Sequence, residues 1–172
     1  LGADIDGEGV NDRFGRTISL NSAGDRVAIG TGENDGTANN AGHVRVFSYN
    51  GSAWTQLGAD IDGEAAGDYF GHYGLQMNAA GDRLVVGAHQ NDGTGSNAGH
   101  ARAYSYNGSA WVQLGADIDG EAASDNFGYA VSINDAGSRI AIGALYNDGN
   151  GSDAGHVRIY DYSPDTDSWS QV

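Results

Sequence analysis

The sequence predicts an all-β fold of three consecutive four-stranded antiparallel units. Three observations carry that reading. The heptapeptide L-G-A-D-I-D-G recurs at Leu1–Gly7, Leu57–Gly63 and Leu114–Gly120, dividing the chain into units 1–56, 57–113 and 114–172. Apolar residues alternate with small or polar ones at a period of two, and no segment has helical periodicity. The 29 glycines cluster between those runs, where turns need them, without the strict period of collagen.

Each unit yields its strands in the same order. In the third, Phe127, Tyr129, Val131 and Ile133 alternate with Gly128, Ala130 and Ser132, predicting a first strand over 127–134. The turn Asp135-Ala136-Gly137-Ser138 leads to a β-branched second strand, Arg139–Gly143. The polar loop Asn147–Gly155 leads to a third, His156–Tyr162, and a last turn to a fourth around Trp169. In the first two units that last turn is Tyr-Asn-Gly-Ser, at Tyr49–Ser52 and Tyr106–Ser109. Asn-Gly there suggests a type I′ hairpin, whose two central residues need positive φ. The second unit has one extra residue between Phe70 and Gly81, which predicts a β-bulge near His72–Gly74.

Four short antiparallel strands per unit suit propeller blades, twisted sheets packed face to face. A β-solenoid competes, but its shorter coils would not need these hairpin turns. Since propellers typically need about 4–8 blades, three form an incomplete ring. Residues 54–61 show how the end of one unit continues into the next, so further repeats or other copies of the chain are the expected partners. Two copies would supply six blades.

Composition narrows the function. There are 23 acidic residues against eight basic ones, all of them Arg, for a net charge of −15. That charge repels phosphate backbones and excludes nucleic acid as a partner, while drawing cations toward the surface. Cysteine is absent, which removes thiolate and disulfide chemistry. No apolar run approaches the ~20 residues needed to span a bilayer. No signal peptide is visible, but the chain begins in mid-motif, which leaves room for an upstream segment.

The acidic linkers are the candidate metal ligands. Asp4, Asp6, Glu8 and Asp12 occupy positions 1, 3, 5 and 9 of a loop, as do Asp60, Asp62, Glu64, Asp68 and Asp117, Asp119, Glu121, Asp125. Alternate carboxylates are a ligand spacing for calcium, the candidate ion, although Gly falls at position 4 and no bidentate Glu stands at 12. The competing role is to cap the turn into the next unit through side-chain-to-backbone bonds. The linker and the loops 34–42, 91–99 and 147–155 should emerge at one end, forming a polar acidic face to which Asp35, Asp92 and Asp148 add carboxylates. His43, His100 and His156 recur at third-strand starts and are expected to close the preceding loop by hydrogen bonding, whereas His72 and His89 do not recur. Arg26, Arg83, Arg139 and Arg45, Arg102, Arg158 suggest structural pairing with neighbouring acids, and Trp54, Trp111 and Trp169 suggest a packing seam. Asn50, Asn107 and Asn150 open glycosylation sequons, the first two of which double as turns. No nucleophile–base set, phosphate loop or zinc pattern stands out, so the reading is non-enzymatic.

The units resemble the FG-GAP repeat of the integrin α-subunit propeller. The resemblance rests on Phe14-Gly15, Phe70-Gly71 and Phe127-Gly128, and on Ile29-Gly30-Thr31, Val86-Gly87-Ala88 and Ile142-Gly143-Ala144. Third strands such as Gly42-His43-Val44-Arg45-Val46 continue it. It implies propeller blades and an extracellular binding or adhesion module, possible alternatives being a fibre or array subunit, or a carbohydrate-binding or glycan-active propeller. The family's Pro is replaced by Gly32, His89 and Leu145. Its calcium loop between the first two strands does not carry over, because Asn21–Asp25, Asn78–Asp82 and Asn134–Ser138 are too short and too poor in acids.

Overall fold

The computed structural model describes residues 2–172; Leu1, which opens the first heptapeptide and unit 1–56, lies outside the described residues. These form three antiparallel sheets and no helix. The first holds β1 (Thr17–Leu20), β2 (Arg26–Thr31), β3 (His43–Tyr49) and β4 (Trp54–Gln56) in that order, with β5 (Ile61–Asp62) also paired to β3. The second holds β6 (Leu75–Met77), β7 (Arg83–Ala88), β8 (His100–Tyr106) and β9 (Trp111–Gln113), with β10 (Ile118–Asp119) on β8. The third is a meander of β11 (Phe127–Ile133), β12 (Arg139–Ala144), β13 (His156–Ser163) and β14 (Ser168–Gln171).

The heptapeptide thus completes the preceding sheet. Ile61 lies opposite Val44 and Ile118 opposite Ala101, so sheet and sequence repeat are out of phase by one short strand. The sheets stack through alternating faces. Between the first and second lie Ala28, Val44, Val46, Phe70, Leu84 and Val86; between the second and third lie Val85, Ala101, Phe127, Ile133, Ile140 and Ile142. Val85 and Val86 are neighbours in β7 and serve opposite seams, which the period of two requires.

The turns differ from expectation. At Asn50-Gly51, Gly51 has φ 97° whereas Asn50 is not in the positive-φ region, so the turn is not type I′. Asn50 Oδ1 instead accepts the Ser52 and Ala53 amides at 3.0 Å each, its side chain standing in for a carbonyl. The first-to-second strand turns are also held by Asn: Asn21 Oδ1 accepts from Asp25 and Arg26, and Asn78 Oδ1 from Asp82 and Arg83.

A bulge occurs near His72–Gly74. Gly71 donates to Gly87 O at 3.0 Å while Gly87 donates to Gly74 O at 2.9 Å, looping His72 and Tyr73 out. Unit three shares a smaller irregularity, its register passing from Phe127↔Ala144 to Ala130↔Gly143.

Candidate functional site

The acidic linker and the second-to-third strand loop do meet at one end of each sheet. Asn91 ties them: its Nδ2 donates to Asp68 Oδ2 and Glu64 Oε1, both at 2.9 Å, while its Oδ1 accepts the Gly93 amide at 2.8 Å. Asn147 repeats this with Asp125 at 2.7 Å and Glu121 at 2.9 Å, and Asn34 with Asp12 at 3.0 Å. Asp12, Asp68 and Asp125 are buried, and burial raises the Asp68 carboxyl despite its bond from Asn91. Asp35, Asp92 and Asp148 each accept the backbone amide five residues on, a turn-capping role.

The remaining linker acids meet across units rather than within one. Glu64 from the second linker, Asp117 from the third and His100 of β8 converge with all three ligand atoms within 4.8 Å, and Glu8, His43 and Asp60 do the same one unit earlier. Arg102 bridges the carboxylates, donating to Asp117 at 2.9 and 2.7 Å and to Glu64. Burial opposes the charge on Arg102, but its bonds to these two carboxylates more than offset it, and the same guanidinium holds Asp117 below the usual carboxylate range. Arg45 sits between Glu8 (3.4 Å) and Asp60 (3.7 Å), and Arg158 pairs with Glu121. Asp6, Asp62 and Asp119 stay exposed, with Asp62 and Asp119 raised first by partial desolvation and then by the neighbouring Asp60 or Asp117.

These donors suit a guanidinium better than calcium. Calcium takes about 6–8 oxygens, whereas each set offers two carboxylates already bridged by Arg, plus an imidazole nitrogen. Millimolar calcium is therefore expected to raise Tm by less than roughly 2 °C, a gain under about 1 kcal/mol for a chain this size. Melting with calcium and with chelator checks this; a rise near ten degrees would establish a built calcium site.

The recurring histidines differ from their expected loop-closing role. His43 and His100 are buried with Nε2 unpartnered, and His100 Nδ1 stands 3.8 Å from both carboxylates, too far for a hydrogen bond. Phe14 meets the His43 ring edge-on, and Phe127 meets His156 likewise. Burial, aided by Arg102, lowers His100 to about 4. Of the other arginines, Arg26 and Arg83 reach not acids but the carbonyls of Gly81 and Gly137 in the next unit, both at 3.0 Å, while Arg139 pairs with Asp161. Trp111 and Trp169 donate to Leu57 O and Leu114 O, at the seam.

A second cluster centres on the two histidines that do not recur. His72 and His89 are buried, 5.9 Å apart by ring centroid, among Tyr69, Tyr73 and Tyr129. Tyr73 stacks on Tyr129 at 4.5 Å, and Arg16 lies over Tyr73. Desolvation lowers both histidines, His89 to about 4. A Cβ on Gly32 would collide with His72, so glycine at a position held by His89 and Leu145 in the other units makes room for the bulge. The extra residue of unit two was the one sequence signal of this cluster.

No curated protein matches the sequence. Residues 117–160 match the family model described as FG-GAP repeat. Among solved structures, a candidate 6-phosphogluconolactonase from Bacteroides uniformis overlays 90% of this chain with TM-score 0.59 and 10% identity. The chain spans 38% of that protein, and the likeness concerns fold alone. KlHsv2 with a Gly-Ser linker in place of loop 6CD overlays 90% of this chain and 42% of its own at TM-score 0.48 and 13% identity. The chain thus has three stacked antiparallel sheets of the propeller-blade type, and its similarity to an FG-GAP repeat covers residues 117–160, from β10 into β13.

Proposed function

We propose that the chain is an extracellular, non-catalytic binding module that engages a protein or glycan partner through its acidic loop face. The observation that supports it most is the repetition of that face: in successive units Asn91 and Asn147 lock an Asp and a Glu in the same geometry. A face so fixed presents exposed Asp62 and Asp119 at equivalent positions, opposite His43 of β3 and His100 of β8, at little further ordering cost. FG-GAP repeats typically occur in extracellular proteins, and no helix among the described residues is long and apolar enough to cross a membrane. A net charge of −15 favours partners with basic surfaces.

The immobilised chain is expected to bind a Lys/Arg-rich peptide more tightly than a panel of neutral oligosaccharides. Replacing Asp62 and Asp119 together by Asn should weaken that binding at least about tenfold, as should raised salt. Binding unchanged in the double variant would place recognition elsewhere. Turnover of any probe would overturn the non-catalytic assignment.

A further inference from the structure

The two seams inside the chain use one set of contacts. Gly63 N donates to Gly42 O at 2.8 Å, Tyr69 N to Asn40 O at 3.1 Å and Phe70 N to Ala41 O at 3.0 Å. At the next seam Gly120, Asn126 and Phe127 donate to Gly99, Asn97 and Ala98 at 2.8, 3.1 and 2.9 Å. Each seam buries its Phe completely, at 0% exposure.

The outer faces hold the two halves of a third such seam. On sheet three the carbonyls of Asp153, Ala154 and Gly155 occupy the acceptor positions, and among the described residues no backbone amide reaches them. In unit one the amides of Gly7, Arg13 and Phe14 occupy the donor positions and reach no backbone carbonyl among the described residues. Val157 and Ile159 are 67% and 41% exposed, where Val44 and Val46 at the same register are 0% and 1%. Ile18 and Leu20 are 62% and 58% exposed, against 4% for Met77 and 7% for Ile133 at the Leu20 position. A groove of about 460 Å³ runs between Tyr129, Gly143, Leu145, Ala154 and Val157, where the internal seams seat a Phe-Gly. A Cβ on Gly143 would meet nothing nearer than 3.7 Å, whereas one on Gly87 would strike the Gly128 carbonyl.

We propose that the outer face of unit three is the docking seat for unit one of a second copy of this chain. Phe14-Gly15 of that copy enters the groove, and Ile5–Asp6 add to β13 opposite Val157 and His156, in the register of Ile61–Asp62 on β3. Asp4 then reaches Arg158. This completes the cluster of Glu121, His156 and Arg158 with the Asp that Asp117 supplies to Arg102 in the preceding unit. Charge, hydrogen-bond polarity and apolar surface all complement, and the internal seams show this pairing already made. The inference goes beyond the binding face, because its test reads association between copies and not capture of a ligand.

Light scattering and sedimentation over a concentration series test it. Wild-type chain is expected to associate reversibly, into a closed dimer or an open-ended series, either of which uses this seat. Val157→Arg changes a solvent-exposed position, so it should melt like the wild type when dilute yet associate at least about a hundredfold more weakly, a charge now lying in an apolar seam. A cross-link gives the register. The chain has no native cysteine, and Asp6→Cys with His156→Cys copies the directly opposed pairs Asp62↔His43 and Asp119↔His100, for which Cα spacing of about 4.5–5.5 Å permits a disulfide. Oxidation should join separate copies, reversibly on reduction. A wild type that stays monomeric throughout, a Val157→Arg chain that associates as well, or a cross-link formed only within one copy would each overturn the proposal.

Discussion

Lowering the pH through the window from 6.5 to 4 is expected to remove about 3 kcal/mol of stability through His100 and a similar amount through His89. Both are lowered to about 4 in the fold, chiefly by burial, from an ordinary value of 6.5. The sign follows from proton binding: between those values the unfolded imidazole takes up a proton that the folded one refuses, so acid favours unfolding. Stability from these groups is complete above the unfolded value and lost as pH falls through the folded one. Two effects oppose it. Asp62, Asp68 and Asp119 are raised, so their protonation favours the fold as pH falls, and relief of repulsion among 23 acids acts the same way. The difference between variants is therefore the quantity to read. His89→Leu, which places there the residue unit three carries as Leu145, should flatten the profile of denaturant-unfolding free energy against pH. Parallel profiles for variant and wild type would show that His89 titrates normally in the fold.

Gly87→Ala is expected to destabilise the chain by about 3 kcal/mol, while Gly143→Ala changes dilute protein by under about 0.5 kcal/mol. Both glycines close the second strand of a unit, and neither has a positive φ. They differ in what faces them. At Gly87 the backbone of Gly128 crosses so closely that a methyl group has no place, and a backbone cannot rotate aside as a side chain can. At Gly143 the same space is open groove. Denaturation midpoints of the two variants measure the energy of that crossing, and equal losses would mean the seam is looser than this packing requires. Gly143→Ala should nevertheless weaken association between copies, because its methyl group would enter the seat for Phe14-Gly15.

The strands were legible because their signals are local. Period-two alternation around Val131 and the β-branched run Arg139–Gly143 locate β11 and β12 to within a residue. The shared end of linker and loop follows from counting strand directions, and Asn91 bonded to Glu64 and Asp68 meets that expectation. The turn type was not legible, since Asn50 offers either a positive φ or a capping carbonyl and Asn-Gly spells both. Nor were the partners of the acids. Linker spacing shows which carboxylates are close along the chain, but the seam pairs Glu64 with Asp117 of the next linker and places Arg102 between them. The cluster of His72 and His89 was hidden because both residues look incidental until the bulge brings them beside Tyr129.

The phase offset between sequence repeat and sheet bears on how the chain is made. As the ribosome extends it, β1 to β4 can pair once they emerge, but β5 follows later as part of the next heptapeptide. The first two sheets therefore wait for the opening residues of the next unit before β3 or β8 gains its last neighbour. Nearest-neighbour coupling of this kind makes a folded unit the template for the next, so order should spread from the N-terminal unit onward during synthesis.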